Sequence, residues 1–184
     1  MYKVGIVGIG SIAEGYGKPS DANAYCHSGG ILYSKQVELV GVADLDEERR
    51  MRFRNKWGAS FPAVAYYDSA ADMLATESLD IVAVCVRGPR HYQVMKEVLA
   101  ANPRAIFLEK PPTCSLAEMD ELGMVIDVSH LNDAGFWDTV ESSSSPLIAS
   151  HSCCRRLCDH PRNLSDDQLR ALGERGGVAA MTFV

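Results

Sequence analysis

The residues best suited to chemistry come first in the chain. Gly8-Ile9-Gly10-Ser11-Ile12-Ala13 follows the apolar run Tyr2-Lys3-Val4-Gly5-Ile6-Val7. A G-x-G-x-x-A sequence directly after a strand is the spacing of a dinucleotide-binding turn. Gly8 permits the sharp exit from the strand, Gly10 lets a pyrophosphate approach the backbone, and Ala13 lets a following helix pack closely. A helix opening at Ser11 and Ile12 offers N–H groups and a partial positive charge to phosphates. The same pattern also fits a glycine-rich strand-to-helix turn with no ligand. Asp44 ends the run Val37-Glu38-Leu39-Val40-Gly41-Val42-Ala43, where a carboxylate can accept hydrogen bonds from ribose hydroxyls. It also repels a 2′-phosphate, which favours NAD over NADP, although Arg49 and Arg50 nearby soften that preference.

Other reactive side chains have weaker patterns. His151, Cys153, Cys154, Cys158 and His160 form a group of soft ligands whose spacing fits no standard zinc site. Cys26 and His27 are neighbours on a loop, and adjacent residues rarely face each other as a nucleophile and its base. Cys85 sits mid-strand as a core residue. His91 opens a helix beside the expected cofactor edge, where it contacts cofactor or substrate or caps the helix.

The elements that must place these residues alternate. A charged helix is expected at Asp46–Trp57, a further helix at His91–Ala101, and a shorter one at Ser69–Thr76 capped by Asp68. Strands are expected at Ala63–Tyr67, Leu79–Val86 and Ala105–Leu108. Leu79–Val86 is almost wholly apolar, as a strand covered on both faces must be. Gly15 to Ser34 reads as a loop insertion, because Asp44 lies 31 residues after Ala13. A Ser115/Glu118 capping box opens a helix through Leu122. The rhythm continues with a strand at Val125–His130, a helix at Asn132–Glu141, a strand at Pro146–His151, a helix begun by a Ser165/Gln168 capping box, and a last strand at Val178–Val184. The fold class is therefore α/β. The expected form is a doubly wound three-layer parallel sheet in the order 3-2-1-4-5, extended beyond its fifth strand by about three further β/α units.

The totals fit this reading. Of 184 residues, 47% are apolar and 23% charged, an ordinary globular composition. A net charge of −6 gives no basic footprint for nucleic acid or an anionic membrane. No apolar run approaches the ~18 residues of a membrane span. Six cysteines without disulfide spacing, and an N-terminus that reads as a strand, lead to the expectation of reduced thiols and a cytoplasmic setting. All six lysines lie at or before Lys110, whereas residues 123–184 hold five arginines and three of the five histidines. That shift hints at two sources for one chain.

Gly8-x-Gly10-x-x-Ala13, Asp44, Pro89-x-His91 and Glu109-Lys110-Pro111 together resemble the nucleotide-binding domain of the glucose–fructose oxidoreductase/inositol dehydrogenase (Gfo/Idh/MocA) family over residues 1–122. The resemblance implies cofactor contacts from Gly8, Gly10, Ser11, Ile12, Ala13, Asp44, Pro89, His91, Glu109 and Lys110. It places Lys110 near the nicotinamide, where an ammonium can donate to a substrate oxygen and serve as the catalytic group. It also implies a large α+β domain that closes the site, and the 62 residues after Leu122 do not resemble one.

Ile126-Asp127-Val128-Ser129-His130, Ser150-His151-Ser152 and Cys158-Asp159-His160-Pro161-Arg162-Asn163-Leu164 resemble instead the later part of the membrane (renal) dipeptidases, metal-dependent (β/α)₈ barrels, over residues 123–184. The resemblance implies that His130 and His151 bind one zinc and that Arg162 binds a substrate carboxylate. The other metal ligands of that family have no counterpart here, so peptidase activity is not expected. The sequence reads as a chimera joined near Leu122-Gly123, with engineered recombination, natural fusion and gene misassembly as its possible origins. The expected properties are NAD binding without efficient catalysis, and pairing of two copies through the apolar edge Val178–Val184.

Overall fold

The computed structural model describes residues 1–181. The chain forms two compact units, Met1–Thr113 and Cys114–Val184.

The first unit is built on five parallel strands: β1 (Tyr2–Val7), β2 (Val37–Ala43), β3 (Ala65–Tyr67), β4 (Ile81–Val84) and β5 (Ala105–Leu108). Their order is β3-β2-β1-β4-β5, as the alternating pattern predicts. β1 is central and pairs with β2 and β4. The switch of winding direction therefore falls at the carboxyl ends of β1, β2 and β4, where open α/β sheets form their ligand crevice. Four helices accompany the sheet: α1 (His27–Tyr33), α2 (Glu47–Trp57), α3 (Ala70–Thr76) and α4 (His91–Ala100). The capping residue of α3 is Ser69 rather than Asp68, since the Ser69 side chain accepts from the Asp72 N–H. Gly15–Ser34 is not wholly a loop, because it contains α1.

Helix α2 shows how sequence becomes packing. Asp46 caps it by accepting from the N–H groups of Glu48 and Arg49. Glu47 and Glu48 occupy the positive first turn, and Arg54 and Lys56 the negative last turn. Phe53 and Trp57, four residues apart on one face, are fully buried and both stack with Phe61.

The second unit does not extend the first sheet. β6 (Ile126–Asp127), β7 (Leu147–Ala149) and β8 (Val178–Ala179) form their own three-stranded parallel sheet in chain order. Pairing of each strand with the next is how barrel strands associate, and these short strands keep that habit. The division also precedes the expected join at Leu122-Gly123. Helices α5 (Leu116–Glu121), α6 (Asp133–Ser142) and α7 (Asp166–Glu174) complete the unit. Ser165 and Gln168 form the expected capping box on α7. At α5, Ser115 caps the Glu118 N–H, but the Glu118 carboxylate reaches the N–H of Cys114 instead of closing the box. A separate core gathers Ile126, Val128, Phe136, Leu147, Ala149, Leu164 and Leu172. β8 is an edge strand, and residues 182–184 of the expected pairing edge lie outside the described residues.

Phe53→Ala should remove a fully buried ring from the first unit's core. The expected cost is about 3–5 kcal/mol, measured as a fall in the urea midpoint at constant slope.

Candidate functional site

The carboxyl edge of the first sheet is shaped by two glycines with different duties. Gly8 has φ +88°, and a Cβ there would lie 2.7 Å from the Val86 backbone nitrogen. A side chain is thus excluded by backbone conformation and by contact with the neighbouring strand end. Gly10 is the opposite case, since a Cβ there would meet nothing within 4 Å. Its missing side chain leaves the backbone open to a large ligand. The following helix is short. Ser11–Gly15 makes a single π-type turn, so the dipole at its start is small.

This turn is anchored from behind. Glu14 is buried, with its carboxylate 2.8 Å from the Arg52 guanidinium and 3.2 Å from the Lys56 ammonium. Its carbonyl accepts from Lys56 and from the Trp57 indole. The Glu14 hydrogen bond holds Arg52 above its ordinary pKa, against the opposing effect of desolvation. No local pattern announces this clamp, because its partners lie 38 or more residues away.

Asp44 lies where expected but is not free. Its Oδ2 accepts the Ile9 N–H at 2.9 Å and its Oδ1 the Asp46 N–H at 3.0 Å, with the Arg49 guanidinium 3.5 Å away. Each carboxylate oxygen has a second acceptor site, so hydrogen bonding to a ribose is still possible. Beside it, Val7, Gly8, Asp44, Leu45, Val86 and Arg90 help to line a cavity of about 140 Å³.

Glu109 and Lys110 follow β5. Lys110 is exposed. Glu109 pairs with His27 at 2.8 Å, and the His27 ring meets Phe107 edge-on. Cys26 and His27 therefore do not form a reactive pair, since the histidine turns to Glu109 and the thiol is buried. Burial, with the Glu109 charge adding, pushes the Cys85 thiol up to about 12, which suits a core residue. His91 opens α4. Its ring is wholly buried, with both nitrogens turned to carbonyl oxygens of the protein.

In the second unit the structure brings His130, His151 and Arg162 together. The two Nε2 atoms are 2.6 Å apart, and the Arg162 guanidinium donates to His130 Nε2 at 2.6 Å. His130 has φ +73°, a conformation that costs of order 1–3 kcal/mol and concentrates at functional positions. Two residues that had no assigned role order the site. The Ser150 hydroxyl donates to Asp127 and so accepts from His151 Nδ1. That places a hydrogen on His151 Nδ1 and turns its Nε2 toward His130. Partial burial works to raise the Asp127 carboxyl. Hydrogen bonds from the Ser150 hydroxyl and the Ser129 and Ser150 N–H groups outweigh it and hold the pKa at about 2. The described residues contain no group of three or more potential metal ligands, so His151, Cys153, Cys154, Cys158 and His160 do not assemble as one.

The first unit thus has the strand order and the glycine turn of a nucleotide-binding α/β domain. A family model for an oxidoreductase family with an NAD-binding Rossmann fold matches residues 2–130, and the chain belongs to that family. A second model, membrane dipeptidase (peptidase family M19), matches residues 114–184. Among solved structures, the chain is similar to scyllo-inositol dehydrogenase from Lactobacillus casei with bound NAD(H) and scyllo-inositol. The TM-score is 0.51 at 20% identity, covering 66% of this chain and 31% of that one. WlbA dehydrogenase from Bordetella pertussis, in complex with NADH and UDP-GlcNAcA, gives a TM-score of 0.51 at 23% identity, covering 68% and 36%. At these identities the likeness shows the fold alone. An uncharacterised protein from the pqqA 5′ region of Klebsiella pneumoniae is 48% identical over 68 residues, 37% of this chain and 25% of that protein. Dipeptidase 3 of Mus musculus is 45% identical over 66 residues, 36% of this chain and 13% of that protein. The chain thus spans about a third of the solved structures and a quarter or less of these curated relatives. It is a chimera of a Rossmann domain and a dipeptidase-like segment. No helix among the described residues is long and apolar enough to cross a membrane.

Asp127 gives this site an acid dependence of known sign. Its folded pKa lies below its unfolded value, so the stabilisation is present above about pH 4 and is lost as the pH falls toward about 2. Asp127→Asn should flatten the decline of the urea midpoint across that window.

Proposed function

We propose that the chain binds a nicotinamide dinucleotide, NAD in preference to NADP, on the carboxyl edge of its first sheet, and turns over no substrate efficiently. The observation that carries this is the open backbone at Gly10 beside the Asp44 cavity, on a sheet of the 3-2-1-4-5 order. The residues fit the group. Gly8 keeps β1 and β4 in contact, Gly10 admits a pyrophosphate, and Asp44 offers its remaining lone pairs to ribose hydroxyls. The dinucleotide, when bound, supplies the hydride donor or acceptor. Lys110 would donate a hydrogen bond to a substrate oxygen, and its exposure would leave that bond competing with water. Residues 114–184 match a dipeptidase model, which supports recombination, engineered in our reading, as the origin. A cytoplasmic setting and pairing of two copies through the β8 edge belong to the same proposal.

A second reading has its own observation. The His130 and His151 Nε2 atoms lie 2.6 Å apart, and the Arg162 guanidinium reaches the same His130 nitrogen. A zinc ion held by both rings would take the place of these contacts and spread the two nitrogens apart. Two imidazoles fit a weak zinc site but not catalytic zinc, which takes three protein ligands and a water.

NADH fluorescence titration of the full chain tests the first reading. Binding should be measurable, weakened at least about tenfold in Gly10→Val and less in Asp44→Ala. Equal affinity in wild type and Gly10→Val would refute it. Calorimetry with zinc tests the second, with binding expected in wild type and lost in His130→Ala, while NADH affinity stays unchanged.

A further inference from the structure

The cavity beside Asp44 has a wall that neither reading uses. At about 140 Å³ it holds one flat base rather than a whole dinucleotide. Much of its lining is apolar. Val86 and the buried Val94 contribute, and Leu45, directly after Asp44, keeps 59% of its surface exposed where a ring could cover it. Gln93 and Glu97 are polar members of the same lining. They stand four residues apart on α4 and so share one face of the helix. The Gln93 amide nitrogen donates to Glu97 Oε1 across a long 3.5 Å. A carboxylate only accepts, so the amide turns its nitrogen, not its oxygen, toward Glu97. It keeps a second N–H and its carbonyl oxygen for another partner.

We propose that Gln93, oriented by Glu97, is a specificity-determining residue that selects a 6-amino purine over a 6-oxo purine at the base end of the dinucleotide. The inference rests on the NAD reading, since the base enters this cavity only if Asp44 takes the adjoining ribose. Adenine offers an N–H donor at N6 beside an acceptor at N7, and one side-chain amide meets both at once. Hypoxanthine carries an oxygen at position 6, so the same edge presents two acceptors. The Gln93 carbonyl would then face an oxygen. Turning the amide over would set that carbonyl against the Glu97 carboxylate instead. Glu97 thus acts through Gln93, by making the amide orientation costly to reverse.

The test compares NADH with reduced nicotinamide hypoxanthine dinucleotide by fluorescence titration of the full chain, since both carry the same nicotinamide fluorophore. NADH should bind about five- to tenfold tighter. Gln93 is exposed, so Gln93→Leu should fold with an unchanged urea midpoint. That variant should lose the preference by weakening NADH alone. Glu97→Gln frees the amide to turn, so the preference should shrink to about twofold through tighter binding of the hypoxanthine form. A merely structural role for either residue would weaken both dinucleotides together and leave their ratio unmoved. Equal affinity of the unaltered chain for the two dinucleotides would overturn the proposal and leave the NAD reading standing. An unmoved ratio in either variant would do the same. Absence of binding by both dinucleotides would defeat the NAD reading and this proposal with it.

Discussion

The first unit depends on one close approach, the passage of Gly8 against the backbone of Cys85 and Val86. β1 and β4 are hydrogen-bonded neighbours, and the chain leaves β1 at the point where the direction of winding reverses. A side chain at Gly8 would part the two strand ends. With a glycine there, the turn folds tightly enough for the Ile9 N–H to reach Asp44 on β2's far end. Three strands are thereby drawn to one edge, and the open face at Gly10 follows from the same tight exit.

Around that edge the protein uses charge for architecture. Glu14 draws Arg52 and Lys56 of α2 beneath the turn. Asp44 holds two backbone N–H groups before any ligand arrives. Buried carboxylates are costly unless paired, and here the ion pairs of Glu14 hold a short turn that lacks a long helix behind it. The second unit repeats the device, with Asp127 stitching the ends of β6 and β7 together through Ser129 and Ser150.

The chimeric character also has a physical side. Rossmann and barrel units both alternate β and α elements, so the local signals run through the junction without interruption. Strand pairing differs, because the first sheet places β4 beside β1 while the later strands pair in chain order. Patterns of hydrophobicity specify that a strand exists but not its neighbour.

The sequence by itself determined the element types, the order of the first sheet, the Gly8-x-Gly10 turn, the Asp44 position and the two family resemblances. These are local or carried by motifs, and β2 and β5 have the bounds their apolar runs predict. Only the tertiary structure decided the separate second sheet, the helix within Gly15–Ser34, the inward turn of His91, and the His27–Glu109 and Glu14–Arg52–Lys56 contacts. Each depends on groups far apart in the chain meeting at hydrogen-bond distance. A side chain's type states what it can bond to, and the packing of the strands and helices around it settles which partner comes within reach.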